Sequence, residues 1–196
     1  MNPEKIVNFI EFLSVFASVK RGTKIKGKND FENDAEHSYQ VALVTWYIVD
    51  ALKLKVNKQL ILEYALVHDL VETYAGDTKN FDKKTHSDSK HEREHEAKLK
   101  IKEKFLDFGS LYNCIEKYEL LNDKESKIVY IIDKILPHIN IYLTNDEYYK
   151  NYEATEADYE KWFMSKLDKA NIQDSEFLDL VNKIRQFLKG KIVFYK

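Results

Sequence analysis

Between Tyr64 and Asp77 the chain reads Tyr-Ala-Leu-Val-His-Asp-Leu-Val-Glu-Thr-Tyr-Ala-Gly-Asp. His68, Asp69 and Glu72 stand among Leu66, Val67, Leu70 and Val71. An apolar interior rejects such groups unless they are paired or bind a metal. On a helix advancing about 100° per residue, His68 and Glu72 project about 40° apart, with Asp69 about 60° beyond Glu72. All three then fit one arc of roughly 100°. Gly76 suits a turn, and Asp77 follows it. One helix end and its loop therefore offer an imidazole and three carboxylates to a common spot, which is the donor chemistry of a metal-assisted hydrolase.

The missing ligands must come from other helices. Asn33 and Asp34 are N-cap residues for a helix over about 34–53. Its inward stripe is Val41, Val44, Ile48 and Leu52, and His37 lies on that stripe in the first turn. A later helix, about 124–145, starts at the capping residue Asp123 and is strongly apolar from Ile128 to Ile139, with Asp133 in its middle. A buried carboxylate there needs a partner, either the adjacent Lys134 or a metal. Pro137 cannot donate to the carbonyl of Asp133, which predicts a kink at that residue. His37, His68, Asp69 and Asp133 are two imidazoles and two carboxylates, which balance one divalent ion. That set suits Mn, Co, Zn, Fe or Ni better than the all-oxygen preferences of Ca or Mg. Glu72 and Asp77 remain to move protons.

The segment Arg21-Gly-Thr-Lys-Ile-Lys-Gly-Lys-Asn29 holds four cations and two glycines. It reads as a solvated loop or as an anion clamp, with Arg21 its best-placed member at the exit of the first helix. A planar guanidinium fork suits phosphate.

The elements that must position these residues are helical. Ile6, Phe9, Ile10, Leu13 and Phe16 predict an amphipathic helix over 3–20. The segment 58–74 is apolar nearly all round, which predicts a central helix. Residues 76–90 read as a polar loop, 89–108 as a charged helix and 109–122 as an irregular or helical connection. The charged helix contains His91-Glu92-Arg93-Glu94-His95, a literal match to a protease zinc motif. Its flanks are Lys90, Glu96, Lys98 and Lys100, so the solvated-face reading is preferred. Residues 146–196 read as two amphipathic helices, one with Tyr152, Tyr159, Trp162, Phe163 and Leu167, the other with Phe177, Leu178, Leu180, Val181, Ile184 and Leu188.

Composition narrows the class. A chain of 196 residues that is 44% hydrophobic is expected to form one domain over 1–196, with the core motifs in about 21–145 and the last helices packing on them. With 31 basic and 33 acidic residues, the net charge of −2 argues against a nucleic-acid polymer or an anionic membrane as partner. The longest near-apolar run, Val41 to Val49, is well short of the roughly 20 residues a membrane helix needs. Cys114 is the sole cysteine, which fits a reducing, cytoplasmic setting. Five glycines and two prolines supply little turn chemistry for an all-β fold. The expected fold is all-α, a helical bundle of about six to eight helices.

Taken together, Asp34-Ala35-Glu36-His37-Ser38, Ala65-Leu66-Val67-His68-Asp69-Leu70-Val71-Glu72, Gly76-Asp77 and Asp133-Lys134 resemble the HD-domain metal-dependent phosphohydrolases, most of all their 5′-deoxynucleotidase branch. The resemblance implies an all-α bundle, often a homodimer. It implies one divalent transition metal on His37, His68, Asp69 and Asp133, with Glu72 and Asp77 as catalytic carboxylates and Arg21 on the 5′-phosphate. The implied reaction hydrolyses a nucleoside 5′-monophosphate to nucleoside and phosphate. A nucleotide-binding module without turnover and a nucleotide triphosphohydrolase are the alternatives. In that branch a tryptophan commonly follows the arginine closely; here Gly22 follows Arg21 and no Trp precedes Trp46. Two-metal phosphodiesterases use several further histidines, and His86, His91, His95 and His138 do not match their spacing.

Overall fold

The computed structural model describes residues 2–28, 30–82 and 89–196. Asn29, His86 and the rest of the expected polar loop at 83–88 lie outside the described residues.

The molecule is assembled round α7 (Lys124–Thr144). Asp123 caps its start by accepting from the Ser126 amide at 2.7 Å. Ile128, Val129, Ile131, Ile132 and Ile135 are buried along its length, so this helix is enclosed on most sides. Packed against it are α2 (Asp34–Ala51), α3 (Lys58–Val67), α6 (Gly109–Leu120), α9 (Glu156–Ala170) and α10 (Ser175–Leu188). The helix continues through Pro137 without interruption. The segment expected to be central, 58–74, is flanked on one side by solvent, for Leu66 is 57% exposed.

That segment is also not one helix. α3 ends at Val67, residues 68–71 form turns, and α4 (Glu72–Ala75) adds a single further turn. Bonds reaching back three residues hold the break: Leu70 N–H to Val67, Glu72 N–H to Asp69 and Thr73 N–H to Leu70. Gly76 then stops the chain at φ 73° and ψ 154°, a conformation that only glycine adopts without strain.

A second correction concerns the N-terminal part. α1 (Pro3–Phe16) is capped by the Asn2 side chain and ends short of residue 20. Phe12 and Phe16 face inward, while Ile6, Val7, Ile10 and Leu13 are exposed, so the buried stripe is rotated from the one expected. The following segment is not a loop. β1 (Lys20–Lys24) pairs antiparallel with β2 (Phe31–Asn33), with Lys20 opposite Asn33 and Lys24 opposite Phe31. The register shifts between those pairs, an irregularity in the ladder. Thr23 and the aliphatic length of Arg21 turn inward. Phe31 faces solvent while Glu32 is fully buried.

α5 (Lys90–Lys104) is the expected charged helix, and 109–122 forms α6. Past α7 the chain makes a one-turn helix, α8 (Tyr148–Asn151), before α9 and α10. These C-terminal elements enclose His138 of α7, which is 3% exposed. Its ring centroid lies 4.5 Å from Tyr159, 5.3 Å from Trp162 and 5.8 Å from Tyr149. No helix among the described residues is long and apolar enough to cross a membrane.

Burial lowers the His138 pKa to about 3. The folded ring stays neutral where the unfolded ring takes up a proton, so its stabilising contribution is full above about pH 6.5 and is lost as pH falls toward 3. Urea unfolding of the parent and of His138→Gln should therefore show the difference moving against the parent by about 2 kcal/mol between pH 7 and pH 5. A difference independent of pH would mean the ring is protonated inside its aromatic enclosure.

Candidate metal centre and active site

Three elements bring the four candidate ligands to one point. His37 comes from the first turn of α2, which a reciprocal capping box fixes: the Glu36 amide donates to Asn33 Oδ1 at 2.9 Å, and the Asn33 amide to Glu36 Oε2 at 3.0 Å. His68 and Asp69 occupy the break after α3, and Asp133 projects from the middle of α7. His37 Nε2 is 3.0 Å from Asp133 Oδ1 and 4.0 Å from Asp69 Oδ2. His68 Nε2 is 3.0 Å from Asp69 Oδ2 and 3.8 Å from Asp133 Oδ1. Ligands about 2.1 Å from an ion are separated by about 3.0–3.4 Å along an edge and about 4.2 Å across it. The four atoms are spaced as a coordination polyhedron.

The polar atoms of the set also fit an ion. His68 Nδ1–H donates to the Ala65 carbonyl at 2.9 Å, which leaves the Nε2 lone pair free, and that atom is buried without a hydrogen-bond partner among the described residues. His37 Nδ1 faces the fully buried Glu32 at 3.5 Å, the arrangement in which a carboxylate orients a metal-ligating imidazole. Lys134 Nζ holds the other oxygen of Asp133 at 2.6 Å. The structural partner expected for Asp133 thus takes one oxygen, and the other faces the two imidazoles.

Beside this point lies a second group of acids, Asp34, Asp69 and Glu72, and Arg21 enters it. Its Nη1 is 2.7 Å from Asp69 Oδ2, 3.1 Å from Asp34 Oδ1 and 3.7 Å from Glu72 Oε2, and its Nε is 3.8 Å from Glu32. Burial raises the pKa of Glu72 well above the usual range, with Asp69 adding to the rise and Arg21 opposing it. Burial also raises Asp77, against the pull of Arg21 and Lys90. Asp34 is pushed up to about 7 by burial and by Asp69. For Asp69, burial works upward but its neighbours, Arg21 among them, override it and hold this carboxyl well below the usual range.

A family model described as HD domain matches residues 16–175. The chain belongs to the HD domain family. It is 30% identical over 135 residues to 5′-deoxynucleotidase HDDC2 of Danio rerio, a match covering 65% of each chain. It is 27% identical over 144 residues to 5′-deoxynucleotidase hdd1 of Schizosaccharomyces pombe, covering 68% of this chain and 71% of that one. The chain thus spans 65% of the Danio rerio protein, a little under two thirds. Its fold is similar to a predicted metal-dependent phosphohydrolase from Magnetospirillum magnetotacticum MS-1, with a TM-score of 0.78, 19% identity and coverage of 97% of this chain and 95% of that one.

In this HD domain the expected ligands His37, His68, Asp69 and Asp133 converge. Glu72 and Asp77 lie close enough to interact electrically with one another and with Arg21. Arg21 departs from expectation in placement: it is on a strand, mostly buried, and already engaged by carboxylates. His91 and His95 are exposed on α5, away from the four-ligand group. Sequence reasoning missed two acids. Asn33 alone caps α2, so Asp34, the other capping residue type at the helix start, is surplus there and turns inward. Glu32 gave no signal, because a lone acid in a short polar segment is ordinary. Arg93 was also missed. It donates to the Ala75 carbonyl at 3.4 Å, to Thr78 Oγ1 at 3.1 Å and to Ser89 Oγ at 2.5 Å, tying the turn that carries Asp77 to α5.

Elemental analysis and metal titration test the centre. His37→Ala and Asp133→Ala should each abolish stoichiometric divalent metal, and Glu32→Gln should weaken its affinity about 10- to 100-fold. His91→Ala should leave both unchanged; metal lost with His91 and kept with His37 would move the site to α5.

Proposed function

We propose that this protein is a metal-dependent phosphohydrolase that converts nucleoside 5′-monophosphates to nucleoside and phosphate, using His37, His68, Asp69 and Asp133 as metal ligands. The observation that carries the reading is the pairing of that ligand set with two carboxyls, the buried Glu72 and the half-buried Asp77, whose pKa values are both raised. The names of the Danio rerio and Schizosaccharomyces pombe relatives support the substrate class.

A divalent ion held there supplies Lewis acidity and lowers the pKa of coordinated water. The chain supplies the rest. Hydrolysis forms a bond from a water oxygen to phosphorus and breaks the bond from phosphorus to the 5′ oxygen. One proton leaves the water and one arrives on the leaving oxygen. Asp77, which Arg21 and Lys90 draw toward ionisation, takes the first. Glu72, kept protonated by burial and by Asp69, gives the second. Arg21 swings from its carboxylates to the phosphoryl oxygens, where its charge meets the charge that develops in the transition state. A homodimer is part of the proposal. The support for it is the exposed apolar surface of Ile6, Leu106 and Phe108 around a groove of about 680 Å³.

The metal-loaded protein should release phosphate from nucleoside monophosphates when assayed against mono-, di- and triphosphates and cyclic nucleotides. Release from triphosphates alone would make it a triphosphohydrolase, and no release with metal bound would make it a binding module. Glu72→Gln should lower kcat by about 100-fold or more with metal content unchanged; undiminished turnover would remove Glu72 from the chemistry.

A further inference from the structure

His138 belongs to neither the metal centre nor the carboxylate group, yet it carries a polar atom that the fold leaves unused. Its Nδ1 shares a hydrogen bond with the Tyr149 hydroxyl. That hydroxyl makes no other hydrogen bond among the described residues, so its proton is paired when it donates to Nδ1. A neutral imidazole accepting at Nδ1 carries its hydrogen on Nε2. His138 Nε2 is buried and has no hydrogen-bond partner among the described residues. A buried donor left unpaired costs about 1–3 kcal/mol.

His138 lines a small cavity of about 30 Å³. Arg21 and Asp77 form its wall toward the reaction centre, and Gly22, Phe81 and Tyr148 close the other sides. That volume admits a group the size of one water or hydroxyl. Gly22 is necessary to this shape: a Cβ there would stand 3.0 Å from Tyr148 Cε2. Tyr148 is itself wedged against Phe81 and Tyr149, with ring centroids 6.3 and 5.4 Å away. An aromatic from α8 thus takes the place that a side chain following Arg21 on β1 would need.

We infer that His138 is a specificity-determining residue whose Nε2–H donates to a sugar hydroxyl of the nucleotide. The inference rests on the 5′-nucleotidase reading. With Arg21 and Asp77 facing the phosphate and the reacting atoms, the next part of a nucleotide is its sugar, and its hydroxyls are acceptors of the size the cavity admits. A neutral donor beside Phe81 and Tyr148 suits a neutral acceptor and not an anionic oxygen.

The test compares kcat/KM for a ribonucleoside 5′-monophosphate with its 2′-deoxy, 3′-deoxy and 2′,3′-dideoxy forms, in the parent and in His138→Leu. In the parent, loss of the recognised hydroxyl should cost about 10-fold or more, chiefly in KM, because the donor is again unpaired. The single-deoxy forms identify which hydroxyl it is. In His138→Leu the ratio should shrink to about threefold or less while phosphate release continues, and His138→Gln, which restores an N–H donor, should recover part of it. Tyr149→Phe provides a second route should His138→Leu fail to fold, and it should also narrow the ratio. Equal ratios in parent and variants, with phosphate still released, would overturn the role of His138 and leave the hydrolase reading standing. No release from any monophosphate by the parent would overturn the reading and this inference with it.

Discussion

Buried charge is the constraint on which this structure depends. Glu32, Asp34, Asp69, Glu72 and Asp133 are all largely withdrawn from water within one small region. Removing an ion from water costs several kcal/mol even after the protein relaxes, so each acid requires a proton, a cation or a metal. Arg21 meets four of them and Lys134 meets Asp133. The two-stranded hairpin exists to place that guanidinium. Strand alternation sets Arg21 and Thr23 on one face of β1, and there both meet Glu32.

The break after Val67 answers the same need. A continuous helix over 58–74 would have spread His68, Asp69 and Glu72 over an arc of its surface. The turns at 68–71 instead let His68 and Asp69 reach His37 and Asp133, while Glu72 starts a new turn that faces Arg21. The expectation that these three share one spot is met in part, for His68 joins one group, Glu72 the neighbouring one and Asp69 both, and the regular helix used to reach it does not exist here. Local backbone irregularity at such sites is common, because ligand geometry and helix geometry coincide only in part.

What could be read from the chain follows from how locally each feature is determined. The four residues of the candidate metal centre were legible because an ionisable residue among apolar ones is conspicuous at any single position. The helices α2 and α7 were legible from their caps and periodicity, and their bounds agree within a residue or two. The hairpin was not, since Lys-Arg-Gly-Thr-Lys has no apolar alternation and its pairing is dictated by what Arg21 and Thr23 contact far along the chain. The inward face of α1 was misjudged for a related reason. Ile6, Ile10 and Leu13 keep helical spacing as well as Phe9, Phe12 and Phe16 do, and only the aromatic partners Phe105 and Tyr74 decide between the two stripes.

Arg93 carries an implication for how this chain can vary. Its guanidinium grips the Ala75 carbonyl and Thr78 on one side and Ser89 on the other. The turn that carries Asp77 is therefore held from α5 as well as by its neighbours in sequence. A change at Arg93 would shift the Asp77 carboxyl while every residue of the acidic cluster stayed the same.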